Sequence, residues 1–191
     1  PEEYTPAQLD HEKLNDGVRI HEETKSKLEI YARTFGKHVV KPFVLVVARD
    51  TDHSKEIMEY IKSGDFFGGY YHDKVIEINS AQRGAEKDEN IEQLLSLEKP
   101  DNKIEIVIHV NMLKEGWDVT NLYTIVPLRA SASETLTEQT IGRGLRLPYG
   151  NRTGDEAVDR VSIVSHDKYE AIVNLANDPN SLVRKVYYID A

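Results

Sequence analysis

Phe43-Val44-Leu45-Val46-Val47-Ala48 is an unbroken apolar run, and Arg49-Asp50-Thr51-Asp52 follows it directly. A strand that is apolar at every position is covered on both faces, which is the condition inside a parallel sheet. Asp50, Thr51 and Asp52 bring short oxygen-bearing side chains suited to capping a helix start. Ile57, Met58 and Ile61 then form the buried stripe of that helix, which Gly64, Gly68 and Gly69 end.

The same alternation continues downstream. Strands are predicted at Val75–Ile78, Ile104–Val110, Leu122–Val126, Val161–Val164 and Val183–Ile189. Between them, Ile91, Leu94, Leu95 and Leu97 line a helix; Ser133 to about Gly142 and His166 to Asn177 give two more. Strand–helix alternation at these lengths predicts an α/β fold, an open, mostly parallel sheet with helices on both faces. Upstream, residues 1–40 are polar and charged, and Thr24, Leu28, Tyr31 and Phe35 share one helical face up to a stop at Gly36. The expected organisation is a helical lead-in over residues 1–40 and an α/β domain over 41–191.

Composition narrows the function classes. The 191 residues carry 24 Lys and Arg against 33 Asp and Glu, a net charge of −9, which disfavours a free-standing basic DNA-binding module. The absence of cysteine excludes disulfides, thiolate metal sites and cysteine nucleophiles. No apolar run approaches the roughly 20 residues that cross a bilayer, and the acidic start Pro1-Glu2-Glu3-Tyr4 lacks a signal-peptide pattern. A cytoplasmic protein without membrane contact is expected.

Several apparent motifs dissolve on inspection. There is no Gly-x-x-x-x-Gly-Lys-Ser/Thr phosphate cradle. Asp155-Glu156 imitates a magnesium-holding pair, but Gly150-Asn151-Arg152-Thr153-Gly154 precedes it where an apolar strand is required. Gly142-x-Gly144 has Leu147 where a dinucleotide fingerprint needs its third glycine. His21-Glu22-Glu23-Thr24-Lys25 lacks the second histidine of a zinc helix, and Glu105 after Pro100-Asp101 lacks the remainder of a nuclease core. The seven histidines are scattered and read as surface residues, so no metal site is expected.

Two segments carry chemistry. In Val110-Asn111-Met112-Leu113-Lys114-Glu115-Gly116-Trp117-Asp118, Gly116 permits close backbone approach to a ligand and Asp118 can accept a hydrogen bond from a sugar hydroxyl or an arginine. Taken alone, the same residues also read as a tight turn with Trp117 in the core. In Gln139-Thr140-Ile141-Gly142-Arg143-Gly144-Leu145-Arg146, a helix sets Arg143 and Arg146 on one side, with Gln139 a turn above Arg143. Two guanidinium forks beside glycines suit an anion held bidentately; two solvated arginines on a surface helix are the alternative.

In this order and on this background, the segments resemble motifs V and VI of superfamily 2 helicases and translocases, and Phe43 to Ile61 resembles motif IV. The resemblance runs from about Pro42 to Pro148. The wording Met112-Leu-Lys-Glu-Gly-Trp-Asp-Val119, with Glu138-Gln-Thr-Ile-Gly-Arg-Gly-Leu-Arg146, is most similar to the Res subunit of type III restriction enzymes. His21–Lys25 and Ser165-His166-Asp167-Lys168-Tyr169 look like that family too. The excision-repair helicase of bacteria has a similar pair of motifs, and a non-catalytic α/β binding module is the reading from another class.

The resemblance implies a second RecA-like lobe and assigns roles. Arg143 and Arg146 match arginine fingers that reach the γ-phosphate of ATP held, with Mg2+, mainly by a first RecA-like lobe of the same polypeptide. Such fingers bring about 10³- to 10⁵-fold in rate, roughly 4–7 kcal/mol. Gly116, Asp118, Gln139 and Gly142 match nucleotide-side positions. Arg49, Ser80 and Asn111 are candidates for contact with the nucleic-acid backbone. The family has a threonine six residues before Gly116; here Val110 stands there beside Asn111, leaving backbone amides to serve. Implied partners are double-stranded DNA and a modification methyltransferase subunit, with a nuclease domain beyond Ala191.

Overall fold

The computed structural model describes residues 4–79, 82–110, 120–128, 147–165 and 183–188. Helix α1 (Pro6–Phe35) is followed by β1 (Phe43–Val47), α2 (Thr51–Lys62), β2 (Val75–Asn79), α3 (Gly84–Leu95), β3 (Ile106–Val110), β4 (Leu122–Pro127), the short α4 (Glu156–Asp159), β5 (Val161–Ser165) and β6 (Val183–Tyr188). The six strands form one sheet in the order β2-β3-β1-β4-β5-β6. Every pairing in it is parallel, so the expectation of a mostly parallel sheet resolves to a wholly parallel one among the described residues. This is an α/β fold of the RecA-like kind with an N-terminal helix.

β1 lies inside the sheet between β3 and β4, which explains its uniformly apolar sequence. Val44, Val46 and Ala48 share a core with Ile106, Ile108 and Val110 of β3, Val126 of β4 and Val164 of β5. Leu14 and Val18 of α1 and Ile57 and Ile61 of α2 close this core, so both helices cover the same face. Leu45, Val107, Ile125 and Ile163 alternate to the other face and are equally buried. Asp50 caps α2 by accepting from the His53 amide at 2.8 Å.

The lead-in is one 30-residue helix, about 45 Å long. Thr5 and Gln8 form a capping box, Pro6 stands where its missing N–H costs nothing, and Gly36 ends the helix in the left-handed region at φ 63°. Lys13 Nζ donates to the Pro127 carbonyl at the end of β4, while Leu28 packs with Tyr123 near its beginning. α1 therefore runs antiparallel to the strands over the length of the sheet. Gly17 permits the approach: a Cβ there would meet Val126 Cγ2 at 2.5 Å.

The structure corrects three expectations of burial. The inward stripe of α1 is Asp10, Lys13, Leu14, Gly17, Val18, His21, Thr24, Leu28 and Ala32, whereas Phe35 is 60% exposed. The stripe shifts by one position after Leu28, and Phe35 stacks against Tyr31 instead of the sheet. Leu95 of α3 is 77% exposed and no residue of α3 is fully buried, because that helix packs against β2, the edge strand. His21, His53 and His109 are buried, contrary to the reading of the histidines as surface residues. Asp155 caps α4 through the Ala157 amide at 2.8 Å, a local structural use of that carboxylate.

Candidate functional site

The connection leaving β1 runs toward the β2 edge, while that leaving β4 runs toward β5. β1 and β4 are adjacent, so their carboxyl ends flank a topological switch point, the place where open α/β sheets bind ligands. The strands stay hydrogen-bonded to its mouth, with the Leu128 amide donating to the Val47 carbonyl at 2.9 Å and the Ala48 amide to the His109 carbonyl at 3.1 Å. Residues 129–146, with Gln139, Gly142, Arg143 and Arg146, follow β4 in the chain; residues 111–119, with Asn111, Gly116 and Asp118, follow β3. These seven positions, and Ser80 after β2, lie outside the described residues.

Arg49 is the described member of the expected site. It is the second residue after β1, and its side chain is 45% exposed. Asp10 Oδ2 accepts from Arg49 Nη1 at 3.4 Å and from His53 Nε2 at 2.8 Å. The Arg49 amide donates to His53 Nδ1 at 3.0 Å. Asp10 and His53 are both buried, so the start of α1 and the first turn of α2 meet beside the end of β1. Neither residue stood out in the sequence. The available signal was the i, i+3, i+7 placement of Asp10, Lys13 and Gly17 on the stripe that reaches Leu28.

A second polar cluster lies at the opposite end of the sheet, where Glu105 precedes β3. Glu105 Oε1 accepts from His21 Nε2 at 2.9 Å and from Lys25 Nζ at 2.7 Å. Lys25 also reaches Glu22 at 3.2 Å, and the Tyr71 hydroxyl donates to the same Glu22 oxygen. Burial would raise the Glu105 carboxyl, but the hydrogen bonds and charges of His21 and Lys25 win and hold it at about 2. Burial and Glu22 together push the Tyr71 hydroxyl well above its ordinary range. Ligand atoms of His21, Glu22 and Glu105 lie within 4.8 Å of one another. The Lys25 ammonium already bridges the two carboxylates, so the cluster is an ion-paired clasp between α1 and the residue that precedes β3. The His21 motif and Glu105, which are inconclusive separately in the sequence, are two halves of it.

His109, one residue before the end of β3, is a different kind of buried group. Both ring nitrogens are enclosed without a hydrogen-bond partner among the described residues, and burial lowers its pKa to about 4. It is therefore neutral at pH 7. Its folded-state pKa lies below the ordinary value near 6.5, so the associated stability is present above about pH 6.5 and is lost as pH falls toward 4. His109→Leu removes the unpaired atoms at similar volume and is expected to stabilise the chain by about 1–3 kcal/mol at pH 7. Urea unfolding at pH 7 and pH 5 checks this, with the variant also losing less stability between the two. Equal or lower stability at pH 7 contradicts it.

No family model matches the chain. It is similar to the Res subunit of the type III restriction-modification enzyme EcoPI from Escherichia phage P1, at 30% identity over 151 residues. The EcoP15I Res subunit from Escherichia coli is also 30% identical over 151 residues. The chain carries a Res-like helicase region. Each of these alignments covers 73% of the chain but 14% of the relative, so the Res-like region spans about a seventh of the length of either. A shorter match, 56% identical over 36 residues, joins it to the StyLTI Res subunit of Salmonella typhimurium, covering 19% of the chain and 4% of that subunit. No helix among the described residues of the Res-like region is long and apolar enough to cross a membrane.

Proposed function

We propose that the chain is the second motor lobe of an ATP-dependent DNA translocase, the Res subunit of a type III restriction endonuclease. Residues 41–191 form the lobe and residues 1–40 its helical lead-in. The observation that carries this reading is the 151-residue match to two Res subunits. It is supported by a parallel sheet whose switch crevice is followed in the chain by the arginine-bearing segment.

In this reading Arg143 and Arg146 are the arginine fingers, and Gly116, Asp118, Gln139 and Gly142 serve the nucleotide side of the cleft. Arg49, Ser80 and Asn111 contact the DNA backbone. A first RecA-like lobe holds most of the ATP and Mg2+, and a modification methyltransferase subunit is the partner. The setting is the cytoplasm. The chain's own part in the chemistry is to place positive charge where the transferring phosphoryl group gains negative charge, and to exclude water by lobe closure.

The test is ATP hydrolysis. The complete polypeptide is expected to turn over ATP in a manner dependent on double-stranded DNA, and the 191-residue chain alone is expected to be inactive because it contains no phosphate-cradling loop. Turnover by the purified chain alone, or a complete polypeptide without DNA-dependent turnover, would overturn the reading.

A further inference from the structure

We propose that Asp10 and His53 are positioning residues that hold the Arg49 guanidinium at the mouth of the β1/β4 crevice as a preformed receptor for a pair of phosphate oxygens. This deepens the motor-lobe reading and rests on it for the source of the phosphate. It also makes the lead-in helix a working part of the site.

The hydrogen-bond directions define the device. A backbone amide can only donate, so His53 Nδ1 accepts from the Arg49 amide. The proton of the neutral ring then sits on Nε2 and points at Asp10. Both nitrogens are hydrogen-bonded, which makes His53 a strut between Arg49 and Asp10. Asp10 is buried, and its single formal charge is balanced by Arg49.

Arg49 differs from its two supports in being nearly half exposed. Among the described residues, its guanidinium has one polar partner, and the Nη1–Asp10 contact is long at 3.4 Å. A tether on one nitrogen leaves the other edge of the fork available, and two parallel N–H groups match two phosphate oxygens. The N-terminus of α2 does not compete for that anion, because the Asp50 carboxylate already accepts from the His53 amide. Preorganisation of this kind removes part of the entropic cost of ordering an arginine at the moment of binding.

The motor-lobe reading makes the DNA backbone the source of the phosphate; the nucleotide offers the same chemistry, and both are tested in the complete polypeptide. Binding of a short DNA duplex and of ATP is measured separately over about 50–200 mM salt, for wild type, Arg49→Ala, Arg49→Lys, Asp10→Asn and the double variant Asp10→Asn/Arg49→Ala. Arg49→Ala is expected to weaken one of the two probes about tenfold, and if that probe is DNA, to reduce the salt slope by about one. Arg49→Lys keeps the charge but is expected to lose most of that affinity. Asp10→Asn is expected to weaken the same probe about three- to tenfold with the salt slope kept, and to have no further effect in the Arg49→Ala background.

A merely structural Asp10 would lower the melting temperature and weaken binding equally in both backgrounds, which overturns the proposal. If Asp10→Asn does not fold, Arg49→Lys decides: affinity equal to wild type for both probes overturns the fork. Failure of the motor-lobe reading is seen separately, as absent DNA-dependent ATP turnover in the wild type.

Discussion

Arg146→Ala in the complete polypeptide is expected to lower DNA-dependent ATP turnover about 10³- to 10⁵-fold, the range associated with an arginine finger. The reason is electrostatic. In phosphoryl transfer the protein forms few new bonds and acts mainly by positioning groups and by stabilising charge on the phosphoryl oxygens. A guanidinium delivered into a water-poor cleft contributes about 4–7 kcal/mol at that rate change, far beyond what a solvated surface arginine supplies. Arg146→Lys is not expected to rescue turnover, since an ammonium lacks the planar fork. The measurement is steady-state ATP hydrolysis at saturating duplex, with ATP binding followed in parallel. A loss confined to KM would assign Arg146 to uniform binding instead of transition-state stabilisation. Turnover equal to wild type would remove the finger role altogether.

The second large effect concerns folding. Glu105→Ala removes the shared acceptor of His21 and Lys25 and leaves a fully buried imidazole whose other nitrogen has no partner among the described residues. Breaking one member of a buried ionic group costs about 3–5 kcal/mol. That is a large share of the roughly 5–15 kcal/mol that holds a domain together. The clasp ties α1 to β3, so its loss is expected to loosen the lead-in helix over the core shared by Leu14, Val18, Val44 and Val126.

The pH dependence follows from the same carboxylate. Glu105 sits at about 2 in the fold against about 4.5 ordinarily, so its contribution is complete above pH 4.5 and is lost as pH falls through 2. That shift corresponds to about 3 kcal/mol. Wild type should therefore lose stability between pH 4.5 and 2 to a degree that Glu105→Ala does not. Denaturant midpoints at pH 7, 4.5 and 3 read both effects. A variant that matches wild type at pH 7, or that retains the full acid sensitivity, would falsify the clasp.

The elements that were legible in the chain are those with a strong local signal. The β1 run, the Asp50 cap and the Ile57/Ile61 stripe gave the first strand and helix at nearly the observed bounds, because burial on both faces demands apolar residues at every position. Gly36 was legible as a helix stop because a left-handed residue favours glycine. Signals failed where neighbours in space mattered more than neighbours in sequence. Leu95 carries an apolar side chain on a helix that has only an edge strand to cover, and Phe35 extends the helical pattern past the sheet that would bury it.

The polar residues divide in the same way. Gln139 to Arg146 and the Gly116–Asp118 loop are read from order and spacing along the chain, which is how a family resemblance is carried. His21 and Glu105 are 84 residues apart, and Asp10 and His53 are 43 apart; each pair is meaningless until α1 is laid antiparallel across the sheet. A helix of 30 residues offers many possible registers against a parallel sheet, and its sequence alone does not select one. Close packing at Gly17 against Val126 and the lysine bond from Lys13 to Pro127 select it. Fold class and chemical family were thus written in local pattern and motif, while the placement of charge at the two ends of the sheet arose from packing, which acts between segments that no spacing rule connects.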